Sequence, residues 1–144
     1  MRTIKIDKIT LNIGTGEPGD RLEKAKKLLN TISGMKSVQT TTQKRIPTWK
    51  IRPGLEIGCK VTLRGKKAVE MLKKLLEVNN NQLTKKQIGE GVVNLGIHEY
   101  IEIPGIQFQR EIGILGFDVS LSLRRAGFNI KLRKIKRGKI PLRH

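Results

Sequence analysis

From Ile9 onward apolar residues return at every second position. Ile9, Leu11 and Ile13 therefore share one face of a strand, and Thr10 and Asn12 take the other. Ile4 and Ile6 extend that strand upstream, and the loop Gly14 to Gly19 ends it. The period then changes. Asp20 followed by Glu23 reads as a capping box opening a helix to about Ser33, with Leu22, Ala25, Leu29 and Ile32 as the buried stripe and Gly34 as the stop. Val38 to Thr42 suggests a short strand, and residues 43–55 a loop punctuated by Gly and Pro. Alternation resumes over 57–64, where Ile57, Cys59, Val61 and Leu63 oppose Gly58, Lys60, Thr62 and Arg64. A second amphipathic helix is expected over about 66–78, turning Val69, Leu72, Leu75 and Leu76 inward. After the polar break Asn79 to Gln82, Val93, Leu95 and Ile97 mark another strand. Val119, Leu121 and Leu123 mark a last one, with Asp118, Ser120, Ser122 and Arg124 opposite them.

Strands and helices mix without regular βαβ alternation. This predicts a single α+β domain over 1–144, with a mostly antiparallel sheet and both helices on one face. The other face then carries Thr10, Asn12, Lys60, Thr62, Arg64, Ser120, Ser122 and Arg124. A solvated sheet face is ordinary in an antiparallel sheet. Small polar and basic residues with few acids also suit phosphates and 2′-hydroxyls, and the absence of Phe and Tyr excludes an aromatic base-stacking platform.

Charge decides between those readings. Thirty Lys and Arg against twelve Asp and Glu give a net charge of +18. Self-repulsion of that size fits an anionic partner, of which nucleic acid is the commonest. A membrane surface would call for a long basic amphipathic helix or a lipid anchor, and neither is evident. The first residues contain no apolar block of the signal-peptide kind, and no apolar run approaches the ~18 residues a spanning helix needs. One cysteine, Cys59, excludes an internal disulfide framework and fits a reducing, cytoplasmic compartment.

Chemistry finds little to use. Gly14-x-Gly16-x-x-Gly19 formally matches a dinucleotide fingerprint, but Glu17 and Asp20 would set carboxylates where a pyrophosphate belongs. Gly65-Lys66-Lys67 lacks the spacing and hydroxyl of a P-loop and reads as a basic helix start. Cys59, His98 and His144 are too scattered for a metal site, Cys59 falls on an apolar strand face, and Glu99 and Glu102 have no histidine arranged for acid–base work. The expectation is no catalytic residue, no metal and no cofactor.

Two segments stand outside the sheet. The loop holds Lys44, Arg45, Lys50 and Arg52 without an acid. Its Trp49 reads two ways, as an anchor on the core or as a stacking surface for RNA. From Arg124 to His144 there are nine Lys or Arg and no acid, and their interleaving with Ile130, Leu132, Ile135 and Ile140 predicts a tail that packs in part.

The run Lys50-Ile51-Arg52-Pro53-Gly54-Leu55-Glu56-Ile57-Gly58-Cys59-Lys60-Val61-Thr62-Leu63-Arg64-Gly65 resembles the large-subunit ribosomal protein five family. So do Lys8 to Glu17, Asn94 to Glu99 and Ile112 to Asp118, and the ending from Gly127 to His144 is similar to the archaeal and eukaryotic branch, archaeal in particular. The resemblance implies a structural role in the central protuberance of the large subunit. It implies as partners 5S rRNA, large-subunit rRNA, P-site tRNA, neighbouring central-protuberance proteins and, across a bridge, small-subunit ribosomal protein thirteen.

In the family 5S rRNA is held on the sheet side, where Asn12 and Thr62 match, and tRNA is reached by the loop matching Ile46 to Gly54. The expected tRNA-contacting set is therefore Lys44, Arg45, Ile46, Pro47, Thr48, Trp49, Lys50, Ile51 and Arg52. Met35 departs from a Gln that helps relatives hold RNA, and Glu90 and Val92 replace an Arg and an Asn. Relatives of this branch run on past the final His, so this chain is expected to be a short member or an incomplete one. A free-standing regulatory RNA-binding protein is the competing class, separable by co-sedimentation with large subunits in high salt.

Overall fold

A computed structural model describes residues 2–143 apart from Glu17, Pro18, Ile51, Pro104, Gly105, Gln109, Ile114 and Leu142. Five strands and two long helices are the main elements. They are β1 (Lys5–Gly14), α1 (Asp20–Ser33), β2 (Val38–Thr41), β3 (Glu56–Leu63), α2 (Lys66–Val78), β4 (Val92–Ile97) and β5 (Phe117–Arg124), followed by the single turn α3 (Asn129–Leu132). The strands form one sheet in the order β2-β3-β1-β5-β4, and each neighbouring pair is antiparallel. This is the expected α+β class.

One hydrophobic core lies on one side of the sheet. Ile9, Leu11 and Ile13 of β1, Cys59, Val61 and Leu63 of β3, Val93, Leu95 and Ile97 of β4, and Phe117, Val119 and Leu121 of β5 all turn into it. α1 packs on β3 through Leu22, Ala25, Leu28, Leu29 and Ile32, and α2 packs on β1. In the connection between β4 and β5, Tyr100, Ile103 and Ile112 are also buried in this core. The alternation in the sequence left that connection unassigned, because its apolar residues follow neither period.

Three expectations need correction. Asp20 is the first helical residue rather than the cap. Gly19 stands at the N-cap with no side-chain cap, and Glu23 N–H bonds the Gly19 carbonyl at 3.2 Å. The helix stop does hold, since Gly34 adopts φ 67 and its N–H returns to the Asn30 carbonyl.

The inward stripe of α2 is Ala68, Met71 and Leu75, with Leu72 and Leu76 partly buried, while Val69 is 39% exposed. The periodic pattern is wide enough to allow either phase, and packing over β1 selects one. Finally, the tail packs less than its apolar residues suggested, with Ile140 half-buried but the others exposed. Ile130, Leu132 and Ile135 are 42, 68 and 79% exposed, and the segment instead bonds to itself, as where Gly138 N–H meets the Ile130 carbonyl and Arg137 Nε meets the Lys131 carbonyl.

Candidate nucleic-acid interface

The face of the sheet away from the core is built by register. Pairing places Val38, Lys60, Asn12, Asp118 and Gly96 side by side across all five strands. Two residues along, Thr62, Thr10, Ser120 and Asn94 form a second row, and beyond it Lys8, Ser122 and Val92 form a third. The sequence thus placed Thr10, Asn12, Lys60, Thr62, Ser120 and Ser122 correctly on one face. It missed Asn94 and Lys8. Asn94 falls between Val93 and Leu95, so its own alternation was the available signal. Lys8 immediately follows the register irregularity between Ile6 and Lys8 that breaks the period of β1.

Most of these side chains have no protein partner. Among the described residues, Thr10, Asn12, Lys60, Thr62, Ser122 and Asp118 make no side-chain hydrogen bond or ion pair, whereas Ser120 donates to Asn94 Oδ1. Six donors or acceptors on one pleated surface are therefore free to meet a ligand's polar groups.

Arg64 and Arg124 are different. They flank β1 at the far end of the face, and both reach Asp7, Arg64 Nη1 at 3.4 Å and Arg124 Nε at 3.2 Å from the same Oδ1. Asp7 lies at the irregularity of β1, its side chain only 17% exposed. The face is accordingly less free of acids than its sequence suggested, because Asp7 offsets one charge at this end and Asp118 stands in the first row.

The basic loop leaves from the opposite end of the sheet. Its neck is closed by Thr42 N–H to the Leu55 carbonyl at 2.9 Å and Gly54 N–H to the Thr42 carbonyl at 2.8 Å. Inside the neck, Pro47–Trp49 form a turn of 3-10 helix, with Lys50 at φ 54 bonding back to Pro47. Lys44, Arg45, Pro47, Thr48, Lys50 and Arg52 are exposed and Ile46 is half-buried. Ile51 and the side chain of Trp49 lie outside what the structure describes, as do Glu17 in the glycine-rich loop, Ile114 and His144. The basic tail follows Arg124, so loop and tail bracket the polar face from its two ends.

Elsewhere the chemistry is sparse. Cys59 is fully buried, and burial pushes its thiol up to about 11, against a smaller opposing pull from the Lys26 ammonium. Such a thiol is a core packer, not a nucleophile. Among the described residues no three His, Cys, Asp or Glu side chains gather where a metal could sit, and no helix is long and apolar enough to cross a membrane.

Comparison with known proteins places this architecture. Residues 1–52 match the family model for ribosomal protein L5, and residues 56–139 match the model for the C-terminus of the same ribosomal protein family. The large ribosomal subunit protein uL5 of Nanoarchaeum equitans is 45% identical over the whole chain, covering 86% of that relative. The proteins of the same name from Sulfurisphaera tokodaii and Archaeoglobus fulgidus are 44% and 43% identical, again over the whole chain and over 82% and 81% of theirs. The chain therefore belongs to the uL5 family of large-ribosomal-subunit proteins, in its archaeal form, a family of structural proteins and not of enzymes.

Proposed function

We propose that this protein is a structural constituent of the large ribosomal subunit, working on cytoplasmic ribosomes, and that it holds 5S rRNA on the polar face of its sheet. The supporting observation is the three-row surface, in which Thr10, Asn12, Lys60, Thr62 and Ser122 carry unpartnered polar groups over a rigid sheet. A sheet fixes the backbone spacing of these donors and acceptors, so only their side chains need ordering on binding. Ser120, Arg64 and Arg124 complete the rRNA-facing set. The two arginines are steadied by Asp7 yet remain 61 and 53% exposed at the side chain, so guanidinium N–H groups are left for phosphate.

In this reading, 5S rRNA and the adjoining large-subunit rRNA are gathered in the central protuberance, beside its neighbouring proteins. The exposed loop, from Lys44 through Arg52, touches P-site tRNA by backbone contacts that position without reading sequence. A further surface joins small-subunit ribosomal protein thirteen across the bridge between subunits. The deciding experiment is a gel-shift titration of the protein with 5S rRNA and with an unrelated structured RNA of equal length. Preferential binding of 5S rRNA, lost when Asn12 and Thr62 are replaced together, is expected. Equal affinity for both RNAs, unchanged in the double variant, would remove the sheet face from the interface.

A further inference from the structure

At one end of the polar face lies a cleft of about 290 Å³ lined by Asn12, Gly14, Gly96, His98, Gly116 and Asp118. Its glycines are informative. Gly116 is tight, since a Cβ there would meet the Ile97 and His98 carbonyl oxygens at 2.5 and 2.7 Å. Gly14 and Gly96 are not tight. Neither has a positive φ, a Cβ on Gly14 would meet nothing within 4 Å, and one on Gly96 would meet only Asp118 Oδ1 at 4.0 Å. Among the described residues, neither a positive φ nor a close contact calls for glycine at these two positions. A glycine inside a strand weakens it and commonly marks a place where a ligand approaches the backbone closely. These two leave bare peptide surface beside a carboxylate, and that carboxylate has no protein partner among the described residues.

Resting on the rRNA-binding reading above, we infer that this cleft takes one unpaired guanine of the bound RNA, with its Watson–Crick edge toward Asp118. A carboxylate repels phosphate, so Asp118 is out of place on a surface serving the backbone alone. It accepts hydrogen bonds only. Guanine presents two adjacent donors, N1–H and the 2-amino group, which match the two carboxylate oxygens. Adenine and cytosine place a donor beside an acceptor, and uracil has a single donor between two acceptors. Asn12 stands directly opposite Asp118 in the sheet, and its amide can donate to guanine O6. Lys60 is the next neighbour in the same row. Two strand spacings, about 10 Å, separate it from Asp118, a span that one nucleotide can bridge from base edge to phosphate. Sequence-specific recognition of RNA generally uses bases turned out of the helix in this way.

The test uses the whole protein and 5S rRNA in which guanosines are randomly replaced by inosine, which lacks the 2-amino group. Bound and free RNA are separated and the sites of interference mapped. The variants are Asp118→Asn, which keeps shape and removes charge, and Gly96→Val, which fills the cleft. Both are expected to melt as the wild type does, since Asp118 has no partner and Gly96 borders open space. The wild type should show interference at one unpaired guanosine. Both variants should bind about tenfold or more weakly, the loss expected for a bidentate base contact, and should no longer respond to inosine at that position.

Electrostatics alone predicts the reverse for Asp118→Asn, because a negative charge leaves the RNA face. Equal or tighter binding by that variant, or a loss unaccompanied by any inosine-sensitive guanosine, overturns the guanine site and leaves the rRNA-binding reading standing. A wild type that binds no large-subunit rRNA overturns both.

Discussion

Leu11 is wholly buried, while Asn12, one residue on, faces Lys60 and Asp118 on the outer surface. The same division separates Leu63 from Thr62, and it yields the first prediction. Asn12→Ala or Thr62→Val removes a group with no protein partner, so melting should be unchanged while rRNA affinity falls by about 1 kcal/mol for each hydrogen bond lost, more if the RNA partner is left dry. Leu63→Ala opens a cavity in the core and should cost about 2–5 kcal/mol of stability. Thermal melts and RNA titrations on the same preparations check both, and a reversed assignment would show the register of β3 to be wrong.

Cys59 supplies a second prediction, in pH. Its folded-state pKa of about 11 lies above the ordinary 9.0, so between those values the folded chain keeps a proton that the unfolded chain has lost. Its contribution to stability is complete below about pH 9 and is lost as pH rises toward 11, by up to roughly 3 kcal/mol. Unfolding free energies of wild type and Cys59→Ala, compared from pH 8 to 11, isolate this from the lysines common to both. The wild type should lose its advantage with rising pH, and parallel curves would refute the raised value. At this scale the sequence was legible wherever period two held. It was not at Asp7, whose bonds to Arg64 and Arg124 join three segments far apart in the chain.

Among the elements, the loop at 43–55 and the tail after Arg124 look alike in composition and differ in construction. The loop is held at its neck by paired backbone groups of Thr42, Gly54 and Leu55, which leaves its basic tip free of the sheet. Replacing Ile46 through Arg52 with a short Gly-Ser linker should therefore preserve 5S rRNA binding nearly unchanged and lower retention of tRNA in the P site. Both quantities can be read on subunits reconstituted with the altered protein. Collapse of 5S binding with normal melting would assign the loop to the 5S interface instead.

The tail taught the opposite lesson. Alternating basic and apolar residues suggested partial packing, and Ile140 is half-buried while Leu132 and Ile135 stay exposed. Periodicity reports which residues share a face, not whether another element covers that face. α2 shows the same limit more mildly, where Val69 was expected inside and packing on β1 buries Ala68 and Met71 instead.

At the scale of the whole molecule, the net charge is +18, and the loop at one end of the sheet face and the tail after Arg124 at the other together carry twelve of the thirty Lys and Arg residues and no acid. If about six phosphates are neutralised on binding, affinity for 5S rRNA should fall on the order of a thousandfold between 50 and 200 mM salt. Titrations at four salt concentrations would show it, and a flat dependence would end the electrostatic account. The sequence by itself determined the mixed α+β class, the strands and helices, the alternation of inner and outer side chains, and the basic character, because each follows from local stereochemistry or from composition. The sheet order β2-β3-β1-β5-β4, the rows that bring Lys60, Asn12, Asp118 and Gly96 side by side, and the Asp7 ion pairs were decided only by tertiary structure. Each of these depends on the register between segments distant in the chain, and that register is set by how their apolar faces pack into one shared core, which no local window of sequence contains.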